Sequence, residues 1–539
     1  MNKKQLLLLA LASAILFSVS WPANGMPLFL FVAFIPLLMI EDELCQQKEK
    51  YHTFHILFFV YPAFFIWNLL TTWWIYNSTA FGVTMAVIFN SLFMSLVFLL
   101  YHWTKRRFFG AGRGYFILVV YWISFEYFHQ DWDLTWSWLN LGNGFASYPA
   151  WIQWYEYTGI FGGALWVFLA NIAGLRLMMH LRKKPIGKSW VLPASAYVFI
   201  IVAPLLLSFY IFNRYEQKAD PVKVVVVQPN IDPYKEQYSL PPQEIMDRIF
   251  TLADRAVDSN TTLLICPESA IQEDIWENEG LFGMSPSIQY IHRYIERHPG
   301  LSVVMGASTF RRFEPGEAVE ETARYHKQGQ FWYNAYNTAV FTDMTGKYQL
   351  YHKSKLVVGV ERMPFPKYLK FLEKYALDLG GTIGTLGLSK ERTVFTTQHK
   401  GLRMGTAICY ESVYGEFFSK FVRNGATLML IITNDGWWGN TPGHKQHLSF
   451  ASLRAIENRR CIARSANTGI SCFVDQRGLI YDACEYWKPA VIKGQPDLNT
   501  SMTFYTRHGD FIARISYWIA LLLLMATLLS RIFHRTHIK

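Results

Sequence analysis

From Leu6 to Phe212, long apolar runs follow one another with short polar interruptions. From Asn213 to about Gly509 apolar and polar positions mix as in an ordinary globular chain, and from Ile515 to Leu529 the sequence is apolar again. The runs predict helices at Leu6–Ser20, Met26–Ile40, Phe54–Ile75, Ala80–Trp103, Tyr115–Phe128, Thr158–Met178, Trp190–Phe212 and Ala513–Leu529. Several are shorter than the ~20 residues that cross a bilayer, so their ends must draw on flanking Trp, Tyr and Gly. Any one short run reads equally well as a buried core helix. Eight in succession, with Trp73-Trp74, Trp103 and Trp190 at their edges, predict a polytopic α-helical membrane bundle over residues 1–212, closed by a last span in 513–539.

Between them, residues 213–512 predict one sizeable α/β domain. Strands are expected at Val222–Gln228, Thr262–Cys266, Val303–Ala307, Asn337–Phe341, Gly401–Ile408 and Leu428–Thr433. Tyr348–His352, Ser471–Val474 and Leu479–Tyr481 read as hairpin partners beside the turns Thr345-Gly346 and Arg477-Gly478. Helices are expected at Gln243–Val257, Pro286–Arg297, Lys367–Tyr375, Tyr414–Asn424 and His444–Cys461. Gly380–Gly387 lacks the Gly-Lys-Ser/Thr ending of a phosphate loop and reads as a mobile loop.

Charge adds an orientation. Lys3-Lys4, Lys48 with Lys50, Lys105-Arg106-Arg107 with Arg113, the group Arg176 to Lys188, and Arg531 to Lys539 fall on one side if eight spans alternate. The stretch His129–Tyr157, on the other side, holds no Lys or Arg. The positive-inside rule then puts both termini in the cytoplasm and the domain outside it. Lys3-Lys4 before Leu6–Leu16 also resembles a signal peptide, but Trp21 and Pro22 interrupt any cleavage site. The net charge of +11 is partly this topological signal. No aromatic-interleaved basic patch points to nucleic acid.

Six cysteines show no Cys-x-x-Cys pattern, which argues against a zinc site. His444 and His447 have helical spacing but no carboxylate partner nearby in sequence, so a polar helix face is expected there and no metal. Outside the cytoplasm, some of Cys461, Cys472 and Cys484 could pair.

Three strand ends carry groups that could act together. Leu263-Leu264-Ile265-Cys266-Pro267-Glu268 ends in a carboxylate, Leu350-Tyr351-His352-Lys353 in an amine, and Leu402 to Cys409 in a thiol. A thiol attacks a carbonyl as thiolate, which an adjacent base and a cation can supply. Glu268 would take the proton and Lys353 would hold the developing negative charge. A small core cysteine beside a partly exposed Glu–Lys pair remains the alternative from these residues alone.

The set Pro267-Glu268, Tyr351-His352-Lys353 with Leu356-Val357 and Glu361, Cys409-Tyr410-Glu411, and Thr433-Asn434-Asp435-Gly436-Trp437-Trp438-Gly439 resembles the nitrilase (carbon-nitrogen hydrolase) superfamily. More narrowly it resembles the apolipoprotein N-acyltransferases, which join such a domain to a membrane bundle. Arg454-Ala455-Ile456-Glu457 and Arg464 to Gly469 also resemble segments of that family. The resemblance implies an extracytoplasmic α-β-β-α sandwich and a Glu268–Lys353–Cys409 triad, with Glu361, Tyr410 and Glu411 as supporting residues. Val358-Gly359-Val360, Gly436 and Trp438 depart from the family's usual residues, which bears on loop shape and lipid preference.

The implied reaction is acyl transfer through a Cys409 thioester, from a phospholipid donor to the α-amine of a diacylglyceryl-cysteine on an apolipoprotein, at a bacterial cytoplasmic (inner) membrane with the domain on the periplasmic side. It needs no cofactor. A membrane-tethered amidase and a non-catalytic nitrilase-like receptor are the rival readings. The loops Gly359–Pro366 and Asn434–Pro442, the latter with Trp437 and Trp438, are expected to form mobile arms that meet lipid.

Overall fold

The computed structural model describes residues 1–183, 188–365, 368, 385–399 and 401–536. Contacts divide the chain into two units, Met1–Arg214 with His508–Lys539, and Tyr215–Arg507. The expected helix Lys367–Tyr375 and the end of the expected arm at Pro366 lie outside the described residues, as does much of Gly380–Gly387.

In the first unit, six helices among the described residues are long and apolar enough to cross a membrane: Lys3–Ser20, His55–Asn77, Ala80–Phe108, Tyr155–Lys183, Ser189–Arg214 and Phe511–Ser530. Eight continuous spans were expected, and two segments fall short for identifiable reasons. Met26–Ile40 is broken into Pro27–Phe29, Leu30–Ala33 and Ile35–Gln46. Pro36 forces the break, since its ring and missing N–H oppose a helix running through from Val32. The backbone groups freed there are caught by Asn171, whose Oδ1 accepts from Phe34 N at 2.7 Å and whose Nδ2 donates to Leu30 O at 2.7 Å. Such internal satisfaction is what an apolar surrounding demands. The other short segment, Phe116–Phe128, has 13 residues, about 20 Å at 1.5 Å per residue.

The second unit is built on two sheets. Its strands are β1 (Val224–Gln228), β2 (Leu263–Ile265), β3 (Ile271–Trp276), β4 (Ser302–Arg312), β5 (Arg324–His326), β6 (Phe331–Thr342) and β7 (Tyr348–His352). They continue as β8 (Val394–Thr396), β9 (Arg403–Ile408), β10 (Leu428–Thr433), β11 (Ile462–Ala466), β12 (Cys472–Val474), β13 (Ile480–Tyr481) and β14 (Ala490–Gly494). One sheet runs β14-β1-β2-β4-β6-β5, with β3 beside β4 and β7 beside β6; the other runs β13-β12-β11-β10-β9-β8. The parallel centres, β1-β2-β4 and β9-β10-β11, are the apolar runs Val224–Val227 and Leu428–Ile432, buried on both faces. Continuous apolar strands of this kind require cover on each side.

Helices Pro242–Ala253 and Pro286–Arg297 cover the first sheet. Ile245, Met246, Ile249, Phe250 and Ala253, spaced at three and four residues, pack with Val225, Val227 and Leu264. Gly415–Arg423 and Pro442–Asn458 cover the second. The inner faces meet directly, with Ser465 Oγ donating to Val227 O at 2.9 Å and Ser471 N to Gln228 Oε1 at 2.8 Å. This is the α-β-β-α sandwich that the sequence resemblance implies.

Differences from the expected elements have local causes. β11, in the middle of the second sheet, was not expected because Arg464 interrupts its apolar run, yet that guanidinium is fully buried and paired with Asp435. β3, β5, β8 and β14 are likewise additions. His444 and His447 do not face solvent; each is 1 % exposed. The six cysteines are all unpaired.

Gly306, on β4, sits against the chain just before and at Glu268: an added Cβ would lie 2.6 Å from Glu268 Cα and 2.7 Å from Pro267 O. Both are backbone atoms that cannot swing aside. Gly306→Ala is expected to lower the domain's stability by about 1–3 kcal/mol, read as a lowered Tm.

Candidate active site

Two of the three strand-end groups come from the first sheet and the third from the second. Glu268 follows β2 after Cys266-Pro267, Lys353 follows β7 directly, and Cys409 follows β9 directly. Cys409 opens the 3-10 turn Cys409–Val413 and takes φ 50°. That left-handed conformation costs a non-glycine residue about 1–3 kcal/mol, so the surroundings must impose it.

The structure brings Glu268, Lys353 and Glu361 into one buried chain. Lys353 Nζ donates to Glu268 Oε1 at 3.0 Å and to Glu361 Oε1 at 2.9 Å. Asn337, on β6, donates from Nδ2 to the same two oxygens, at 2.8 and 3.2 Å. Glu268 Oε2 accepts from Asn434 N at 3.1 Å, and Glu361 Oε2 from Val357 N at 2.8 Å. Both glutamates are therefore held by fixed donors on each oxygen.

The electrostatics of Cys409 follow from this neighbourhood. Burial pushes its thiol well above the ordinary range and the Glu268 charge pushes the same way, while Lys353 and a hydrogen bond from Thr433 oppose them. Burial alone would weaken the Lys353 ammonium, but Glu268, Glu361 and Cys409 together hold its pKa well above the usual value. The resting site is thus a thiol beside a carboxylate and a firmly charged ammonium. Such a set can accept a proton from sulfur as sulfur attacks, and can stabilise an oxyanion.

Residues 223–504 match the carbon-nitrogen hydrolase family model. The chain belongs to the carbon-nitrogen hydrolase family. Residues 13–173 match a second model, the apolipoprotein N-acyltransferase N-terminal domain. Among curated proteins, the chain is similar to the apolipoprotein N-acyltransferase of Chlorobaculum tepidum, 29 % identical over 95 % of this chain and 94 % of that one. It is also similar to the apolipoprotein N-acyltransferase of Geobacter metallireducens, 28 % identical over 94 % and 92 %. Among solved structures, Nit3 of Saccharomyces cerevisiae, a member of branch 10 of the nitrilase superfamily, has a TM-score of 0.37 at 18 % identity, over 52 % of this chain and 92 % of that one. Family membership rests on the sequence matches.

In this family member, Glu411 does not face Lys353. Its carboxylate is fully buried and accepts from Ile408 N at 2.8 Å, Ser354 N at 2.6 Å and Tyr351 OH at 2.7 Å. It therefore ties the Cys409 turn to the segment that carries Lys353, across the two sheets. Burial raises its pKa, against the lowering effect of those donors. Tyr410 lies in the same turn, packed edge-on to Tyr414 at 5.2 Å.

Trp437 and Trp438, expected on an arm that meets lipid, are both half-buried in the 3-10 turn Asp435–Trp438. Tyr234 OH donates to Trp437 O at 2.6 Å and its ring meets Trp437 edge-on, while Trp438 meets the His447 ring at 5.6 Å. Sequence reasoning missed Asn337, which nothing in its strand marks. It also read His447 as part of a polar helix face, whereas its ring reaches Asp435 and the Cys409 carbonyl; His444 stacks instead on Tyr486 at 3.9 Å.

If Glu411 is a clamp, its shape and hydrogen bonds matter more than its charge. Glu411→Ala strands two buried N–H groups and a hydroxyl, at about 1–3 kcal/mol each, and should lower Tm steeply. Glu411→Gln, which keeps an acceptor oxygen, should lose much less in the same thermal scan.

Proposed function

We propose that this enzyme is an apolipoprotein N-acyltransferase that moves an acyl chain from a phospholipid to the α-amine of a diacylglyceryl-cysteine, through a thioester on Cys409. The observation that carries the reading is the buried Glu268–Lys353–Glu361 chain in the domain that presents Cys409, in a polypeptide whose N-terminal part matches the apolipoprotein N-acyltransferase N-terminal domain. Relatives of the same name align over nearly the whole chain.

In the first half-reaction, the Cys409 sulfur attacks the ester carbonyl and its proton passes to Glu268. Lys353 and a backbone N–H near Tyr410 hold the oxyanion. The ester C–O bond then breaks, Glu268 returns the proton to the departing alkoxide, and a lysophospholipid leaves. In the second, the neutral α-amine attacks the thioester, loses a proton to Glu268, and the C–S bond breaks. The proton on Glu268 returns to sulfur and restores the thiol. Dividing an ester-to-amide exchange through a thioester replaces one hard displacement by two easier ones. Glu361 and Asn337 hold Lys353 and Glu268 in place throughout.

The enzyme works at a bacterial cytoplasmic membrane, with residues 213–512 on its outer side. Positive charge at Lys3-Lys4, Lys48, Lys105–Arg107 and Arg176–Lys183 supports eight crossings. The broken segment Pro27–Gln46 and the short helix Phe116–Phe128 then supply two of them, alongside the six long helices. Trp437 and Trp438 serve as lipid contacts at the rim of the site.

Intact-protein mass spectrometry of the purified enzyme mixed with phospholipid should show an acyl adduct that disappears on adding a diacylated lipopeptide, with amide formed. Release of free fatty acid without amide would establish a hydrolase instead. Cys409→Ser should give no stable adduct, because an alcohol is far harder to ionise than a thiol of pKa ~8.5. Glu268→Gln should slow adduct formation by roughly 10²–10⁴-fold, and Lys353→Ala should impair both halves. Cys266→Ala should keep the adduct; its loss there, with retention in Cys409→Ser, would move the nucleophile to the other cysteine.

The orientation is tested separately. A reporter fused after Lys188 should read as cytoplasmic and one inserted near Gly316 as external. The same side for both would overturn the eight crossings.

A further inference from the structure

Behind the turn that carries Cys409 lies a second buried ionic cluster that the reaction above does not use. Asp435, from the turn after β10, His447, from helix Pro442–Asn458, and Arg464, from β11, are each at most 1 % exposed. Arg464 Nη2 pairs with Asp435 Oδ2 and lies 3.3 Å from His447 Nδ1. Thr433 Oγ1 donates to Asp435 Oδ1 at 2.7 Å, and His447 Nδ1 lies 3.0 Å from that same oxygen. The other ring nitrogen, Nε2, lies 3.1 Å from the Cys409 carbonyl oxygen and 2.9 Å from Ser412 Oγ, whose own proton goes to that carbonyl at 2.8 Å.

Nδ1 faces Asp435 and the Arg464 guanidinium, and Nε2 faces the Cys409 carbonyl and the Ser412 hydroxyl. In either tautomer the ring bridges the buried Asp435–Arg464 pair to the turn that holds Cys409. Arg464 holds the Asp435 carboxyl well below the usual carboxylate range against the effect of burial.

Resting on the reading of Cys409 as nucleophile, we infer that His447 is a positioning residue for acyl transfer: anchored by Asp435, it braces the Cys409 carbonyl and Ser412 and fixes the left-handed turn that presents the thiol. A further observation fits: the turn needs an imposed conformation, since φ at Cys409 is 50°.

The test uses the full-length purified enzyme with phospholipid vesicles, comparing wild type, His447→Ala and His447→Gln. One measurement is the rate of acyl-adduct formation as a function of phospholipid concentration. The other is the rate of iodoacetamide alkylation, read on the Cys409 peptide. Misplacing a reacting group by about 1 Å costs on the order of 10²-fold, so His447→Ala should lose about that in limiting rate with KM unchanged. Alkylation of Cys409 should slow as well, because the thiol is no longer held in its presented position. His447→Gln, which can still hydrogen-bond to the Cys409 carbonyl and Ser412, should recover part of both rates. If His447→Ala does not fold, His447→Gln decides alone. A wild-type rate, a defect confined to KM, or unchanged alkylation would overturn the inference. Absence of an adduct on wild type would overturn the acyltransferase reading instead, while the alkylation rates still judged His447.

Discussion

An ammonium buried to 1 % exposure at Lys353 is the constraint around which the candidate site is arranged. Taking such an ion out of water costs several kcal/mol even after relaxation. One carboxylate at about 3 Å returns roughly 5 kcal/mol at an effective dielectric of 20, but that carboxylate must itself be desolvated. A single partner would therefore leave the pair near balance. Lys353 has two, Glu268 and Glu361, and their excess negative charge is in turn spread over Asn337, Asn434 N and Val357 N. The ends of β2, β7 and β10, the middle of β6 and the turn before Glu361 all converge on this one cation. Removing it would leave two buried carboxylates facing each other, so the arrangement is held as a unit.

The same arrangement decides how a proton can move. Burial pushes all five cysteine thiols of the domain upward, to about 12 for Cys461 and Cys472, about 11 for Cys484, and further for Cys266 and Cys409. A depressed resting pKa therefore does not single out Cys409. What does is that it feels both the Glu268 carboxylate and the Lys353 ammonium. A thiol held neutral by burial and by Glu268 does not become a standing thiolate open to oxidation. In the proposed mechanism it ionises when a carbonyl approaches and the proton has Glu268 to go to. Because Glu268 keeps its position through Lys353 and two further donors, it could return that proton to a leaving group without first reorienting.

The parts of the fold that were legible in sequence are those where burial and apolar character coincide. Val224–Val227 and Leu428–Ile432 are apolar because both faces are covered, and they read as strands. The strand ends carrying Glu268, Lys353 and Cys409 were legible for the same reason, as polar groups abruptly ending apolar runs. Where a buried position is charged, that logic fails. Arg464 disguised β11, and His447 looked like part of a solvent face because its partners, Asp435 and the Cys409 carbonyl, are far off in sequence. Asn337 lies in an alternating strand with nothing to distinguish it. In the apolar block, hydropathy marked where the segments lie and not where Pro36 breaks one of them.

The proposed chemistry leaves open what separates transfer from hydrolysis, since a Cys409 thioester flanked by Glu268 and Lys353 would react with water or with an amine. The difference must lie in which acceptor reaches the thioester at useful concentration. Water is at high concentration everywhere, so an amine can compete only if it is concentrated and oriented. An amine on a diacylated cysteine is confined to the bilayer surface, where each buried methylene holds it by about 0.8 kcal/mol. In the proposed function, the six helices long and apolar enough to cross a membrane would hold the enzyme in that same thin layer with donor and acceptor both. Confinement converts two dilute lipids into local reactants, the effective-concentration gain of any tethered pair. On this reading the helices contribute to the reaction outcome as well as to anchoring, and the choice of amine over water follows from where the enzyme resides as much as from the groups around Cys409.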